Sequence, residues 1–78
     1  MSNGNDIGFI MAQLTIANWY LDRAQGVDVE TARRYISRAR QAHELLLQIL
    51  AELAPGAAQH GDVRTGLTLL QDRLNRSG

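Results

Sequence analysis

The chain contains no cysteine. That excludes disulfide staples and thiolate metal ligands, the usual supports of small secreted domains. Lysine is also absent: all eight basic residues are arginine. This reads as a coding bias, of the kind a GC-rich bacterial genome imposes, and not as chemistry. Charge of one sign is lacking too, because eight acidic residues bring the net charge to zero. Nucleic-acid binders draw their affinity from phosphate neutralisation and carry a clear positive excess, so that class is not expected. No apolar run is long enough to span a bilayer. Residues 1–6 lack the basic stretch that opens a signal peptide, so the default expectation is a cytoplasmic protein with no membrane contact.

Motifs for a reaction are missing as well. There is no Gly-rich phosphate loop after a strand and no pair of histidines on one helical face. The three serines have no His–acid arrangement legible in the sequence. The carboxylates are dispersed along the chain instead of gathered on facing stripes, as a di-metal bundle site requires. No cofactor is implied, and an enzyme is not expected.

What remains is rich in Ala and Leu, with one Pro and 5% aromatic residues. Such a composition favours an all-α chain. At 78 residues it makes one small domain, residues 1–78, whose core lies near the lower limit of self-sufficiency. Association with another chain would relieve that limit.

The best-patterned stretch runs from Asp28 to Leu53. Its apolar positions are Ala32, Tyr35, Ala39, Ala42, Leu46, Ile49 and Leu53, in alternating steps of three and four. Ile36 and Leu50 flank this stripe on one side and Leu45 on the other, giving a face broad enough for two neighbouring helices. Asp28 suits the N-cap, with Thr31 three residues on. Pro55-Gly56 ends the helix, with Gly56 expected to take a positive φ at the reversal.

An earlier helix is expected over 6–24, capped by Asp6, with residues 1–5 frayed. It carries two stripes. One reads Ile7, Ile10, Leu14, Ala17, Leu21, Ala24; the other reads Phe9, Ala12, Ile16, Trp19. At about 100° per residue they lie on nearly opposite sides, with Met11 and Tyr20 between them. A helix apolar nearly all round is normally covered all round. One stripe therefore enters the core, and the other is covered by a second chain or left as an interaction patch.

Gln25-Gly26-Val27 is short enough to make the 6–24 and 28–53 helices antiparallel neighbours, with Gly26 at the helix end. Trp19, Tyr20 and Leu21 then stand level with Ala32, Tyr35 and Ala39, bulk against small. A shorter third helix is expected over 60–75 on Val63, Leu67, Leu70 and Leu74, with Gly66 allowing close approach to a neighbour. The hairpin occurs once, without the further copies that a repeat array needs. The expected fold is all-α: an antiparallel helical hairpin plus a third helix, a three-helix bundle, and dimeric.

Three groups of side chains invite a functional reading. His43 and the His60-x-Asp62 motif contain metal-ligand types, but no second ligand follows His43 at helical spacing, and His60 is several turns away. A packed His43 and a solvated loop are the preferred readings, and no metal site is expected. Arg33, Arg34, Arg38 and Arg40 form the densest basic stretch. Arg33, Arg34 and Arg40 could contact anions, although Glu30 and Glu44 lie within helical pairing distance. Phe9, Ala12, Ile16 and Trp19, with Met11 and Tyr20 at the margin, form the expected protein interface; Trp and Tyr are enriched at such surfaces. The expected function is a helical protein–protein interaction module that self-associates as a homodimer through its first helix. The alternatives are a regulator that sequesters a helix of a different protein, and an anion or nucleic-acid binder using the arginines.

Overall fold

The computed structural model describes residues 3–77, with side chains from Ile7 onward. Among these residues the chain is all-helical, without strands. Three α-helices, α1 (Asn3–Arg23), α2 (Val29–Glu52) and α3 (Gly61–Ser77), each pack against the other two. A 3-10 helix, Pro55–Gln59, joins α2 to α3.

The N-terminal end of α1 departs from expectation. The helix begins at Asn3, so Asp6 lies inside it and is not its cap. Of Asn3, Gly4 and Asn5 only Gly4 opposes helix strongly, and one glycine costs only about 1 kcal/mol. The expected fraying of 1–5 therefore does not extend to Asn3–Asn5; Met1 and Ser2 lie outside the described residues. At the other terminus α3 continues past Asn75 to Ser77.

Both ends of α2 are closed by named contacts. The Asp28 carboxylate accepts the Thr31 backbone N–H at 3.2 Å and the Thr31 hydroxyl at 2.6 Å. Those two bonds hold the Asp28 carboxyl below its ordinary value of 3.8. The Leu53 and Ala54 N–H groups both donate to the Ile49 carbonyl. Gly26, with φ +85°, is the one described residue at positive φ and turns the chain between α1 and α2. Gly56 does not share that role. Pro55, whose ring fixes φ near the helical value, starts a 3-10 turn that takes Gly56 with it.

The core is built from Ile10, Leu14, Ala17 and Leu21 of α1, Ala39, Leu46 and Leu50 of α2, and Val63, Leu70 and Leu74 of α3. Ala54 and Ala57, at the α2–α3 connection, close one end. Ile10, Leu46, Val63 and Leu70 are fully enclosed, each burial contributing roughly 1.5–3 kcal/mol.

On α2 the buried line is rotated from the expected stripe. It runs Ala39, His43, Leu46, Leu50, whereas Leu45 is 46% exposed and Leu53 is 77% exposed. The reason is the placement of α3. An Arg40 Nη2–H donates to the Leu74 carbonyl of α3 at 3.3 Å, so α3 lies on the Arg40–His43 side of α2. The Leu45 side of the α1–α2 hairpin receives no third helix. His43 is buried at the helix boundary, as its flank position suggested.

Two further contacts fix α3 to α1. Arg73 donates to Asn18 Oδ1 at 2.8 Å and to Asp22 Oδ1 at 2.7 Å, and Asn18 in turn donates to the Leu14 carbonyl. Gly66 provides the close approach expected of it: a side chain there would run into Leu14.

Candidate functional site

With α3 on one side of the hairpin, the opposite side is open. The second stripe of α1 lies there. Phe9 is 50% exposed, Ile16 43% and Trp19 48%, and Ala12 is exposed between them. The first stripe meanwhile is almost wholly buried, so α1 is apolar on both sides and enclosed on one. Single exposed apolar residues are ordinary on protein surfaces. Three large ones on one helical line are a patch.

The margin residues divide. Met11 is half-buried and packs against the core; with Leu14, Asn18, Gly66 and Trp19 of the stripe it borders a groove on the α3 side. Tyr20 is half-buried on the α2 side, where it meets Tyr35. The Trp19 and Tyr20 rings lie 5.3 Å apart in an edge-to-face arrangement. Trp19 and Tyr35 are edge-to-face at 6.5 Å, and Tyr20 and Tyr35 are tilted at 6.1 Å. Such ring pairs add roughly 0.5–1.5 kcal/mol beyond area burial. Bulk therefore meets bulk at this level, because the Tyr35 ring lies against both Trp19 and Tyr20. The Arg23 guanidinium sits 4.8 Å from the Trp19 ring centre, a cation–π contact within the stripe.

The four arginines of α2 do not act as one face. Arg34 and Arg38, one turn apart, line a cleft of about 400 Å³ with Trp19, Tyr20, Thr31 and Tyr35. Arg33 and Arg40, two turns apart, lie on another side, and Arg40 is engaged with the end of α3. The expected pairings of Glu30 with Arg33 or Arg34, and of Arg40 with Glu44, are not formed. Among the described residues the ion pairs are Arg73–Asp22 and Arg76–Asp72. Arg23, Arg34 and Arg38 thus have no acidic partner there, and they stand together at one end of the exposed stripe.

Leu45 belongs to the same surface, although its sequence position suggested burial. It follows Arg38 by seven residues on α2, and so shares the face that borders the cleft. Counting back from Tyr20 and forward from Tyr35 by about three turns brings Phe9 and Leu45 level across the hairpin. By this count the exposed apolar residues Trp19, Ile16 and Phe9 of α1 have Leu45, exposed on α2, level with Phe9. Tyr35 and Leu45, with Arg38 at the border, are the α2 residues beside the stripe that the α1 pattern alone did not supply. The hairpin levels and the heptad spacing from Arg38 are the signals that locate them.

The histidines have structural explanations. His60 precedes α3, and its Nδ1 accepts the Asp62 backbone N–H at 3.2 Å, while its carbonyl receives the Arg64 N–H. The His-x-Asp spacing is that of a residue capping a helix. No group of three His, Asp or Glu side chains that could hold a metal ion occurs among the described residues. None of the described helices is long and apolar enough to cross a membrane. The chain matches no protein-family model, no curated protein and no solved structure.

Proposed function

We propose that this chain is a protein–protein interaction module that self-associates through the uncovered side of its α1–α2 hairpin. The observation that carries the reading is the line Phe9, Ile16, Trp19, half-exposed on a helix whose opposite stripe already fills the core. Leu45 extends it onto α2. Covering these side chains removes apolar surface from water at roughly 25 cal/mol per Å². A small core gains most from such cover. A net charge of zero offers no general repulsion between copies.

The test is solution mass by sedimentation across a wide concentration range. The expected result is a dimer that dissociates on dilution. Ile16→Asp should leave the helical circular dichroism unchanged and give a monomer, since a buried charge at the centre of the patch opposes pairing. A wild-type chain that is monomeric throughout would overturn self-association, and the open surface would then be assigned to a helix of a different protein.

A further inference from the structure

The uncovered surface is polar at its ends, and its ends differ in sign. Arg38, Leu45 and Glu52 follow one another at seven-residue spacing along α2, so all three lie on the face beside the α1 stripe. At one end stand Arg34 and Arg38, with Arg23 across the hairpin on Trp19. At the other end stands Glu52, exposed and, among the described residues, without a basic partner. Glu30 is one turn from Arg34 on α2 and does not reach it. Arg38 and Glu52 are about 21 Å apart along the helix.

We infer that two copies pair antiparallel across a two-fold axis near the middle of the stripe, so that Glu52 of each approaches the Arg34–Arg38 cleft of the other. The inference rests on the self-association proposed above and specifies its geometry. A two-fold contact uses the same patch on both copies, so any charge must find its complement within that patch. Running parallel, the pair would bring Arg23, Arg34 and Arg38 of both copies to one end, where Asp22 is taken by Arg73 and Asp28 by the Thr31 cap, leaving Glu30 as the one acid there without such a partner. Running antiparallel, it sets each basic end against an acidic one, with Phe9, Ile16, Trp19 and Leu45 between. Charges at the rim of an interface set orientation and register more than affinity. The molecule measures 44 × 17 × 17 Å, so an interface of about 800 Å² per partner would take most of one long side.

Charge reversal separates the orientations, and Arg34, Arg38 and Glu52 are all exposed, so the fold should tolerate it. Dissociation is measured by sedimentation at low ionic strength. Glu52→Arg alone, and Arg34→Glu with Arg38→Glu, should each weaken pairing about tenfold. The three changes together should restore it, because the patch is again complementary with its signs exchanged. A parallel pair predicts the reverse for the arginine changes, which would relieve repulsion and tighten it. The absence of cysteine provides a second test: Glu52→Cys should resist oxidative cross-linking to its own copy in an antiparallel dimer. A wild-type dimer that ignores all three reversals, or a Glu52→Cys chain that cross-links readily, overturns the antiparallel geometry and leaves self-association standing. A wild-type monomer overturns both.

Discussion

Gly66 of α3 stands where Leu14 of α1 would otherwise meet a side chain: a Cβ at Gly66 would lie 2.7 Å from Leu14 Cδ1. Leu14 is 3% exposed in the core, so its side chain must shift or change rotamer for a Cβ to fit. The helix α3 therefore carries a residue of poor helix propensity because the packing demands it. Gly8 in α1 is the natural contrast: beyond its own stretch of helix backbone, nothing described lies within 4 Å of a Cβ there. Gly8→Ala should raise stability by about 0.5–1 kcal/mol. Gly66→Ala should gain nothing, or lose up to about 2 kcal/mol as overpacking offsets the propensity. Urea denaturation of the two variants decides it; equal gains would mean that α1 and α3 do not approach so closely.

The rotation of the buried line on α2 has its own test. Leu46 and Leu53 both fall on the apolar stripe read from the sequence, yet Leu46 is fully buried and Leu53 largely exposed. Leu46→Ala should cost about 2–5 kcal/mol, a large share of the stability of a domain of this size. Leu53→Ala should change stability by no more than about 0.5 kcal/mol. Thermal melts followed by circular dichroism would separate them.

Arg73 ties α3 to α1 through two acceptors, Asn18 and Asp22. Asp22 is largely exposed, so its share is screened by solvent. The bond to Asn18 is the more sheltered. Arg73→Ala should lower stability by about 1–2 kcal/mol. Arg73→Lys should recover little, since a single ammonium does not reproduce the guanidinium fork. Raising the salt concentration should reduce the effect only in part; complete loss in salt would place the whole contribution on Asp22.

The Asp28 cap gives a pH dependence of known sign. Hydrogen bonds from Thr31 hold the folded-state carboxyl below 3.8. A carboxyl depressed on folding adds stability that is full above its unfolded value and lost as pH falls through its folded one. Asp28→Asn keeps a capping oxygen but does not titrate. The difference in melting temperature between wild type and Asp28→Asn should therefore be constant above about pH 4 and move against the wild type below it. A difference independent of pH would show that Thr31 does not hold the ionised form.

The helices and the two faces of α1 were legible because period and punctuation agree over long stretches. Ile10, Leu14, Ala17 and Leu21 repeat at helical spacing, and Gly26 and Pro55 fall where the chain turns. Which side of α2 would be covered was not legible. Leu45 and Leu50 flank the same stripe symmetrically, and only the docking side of α3 makes one exposed and the other buried. The same cause divided the arginines: Arg40 found a carbonyl on α3, beyond the reach of any pattern within α2. His60-x-Asp62 reads from sequence as a solvated loop, whereas its imidazole nitrogen accepts the Asp62 backbone N–H. The start of α1 was missed because weak helix formers next to a strong helix can still join it.

The position of the indole has an optical consequence. Trp19 is the chain's only tryptophan, half in water on the uncovered side of the hairpin, with Arg23 over its ring. Its emission therefore describes that surface and not the interior. Whatever covers the patch dries the ring and moves its emission to shorter wavelength, while an event confined to the far side of α3 leaves it dark to the observer. The protein carries a built-in, label-free probe at the surface where contact is expected, with no second indole to subtract.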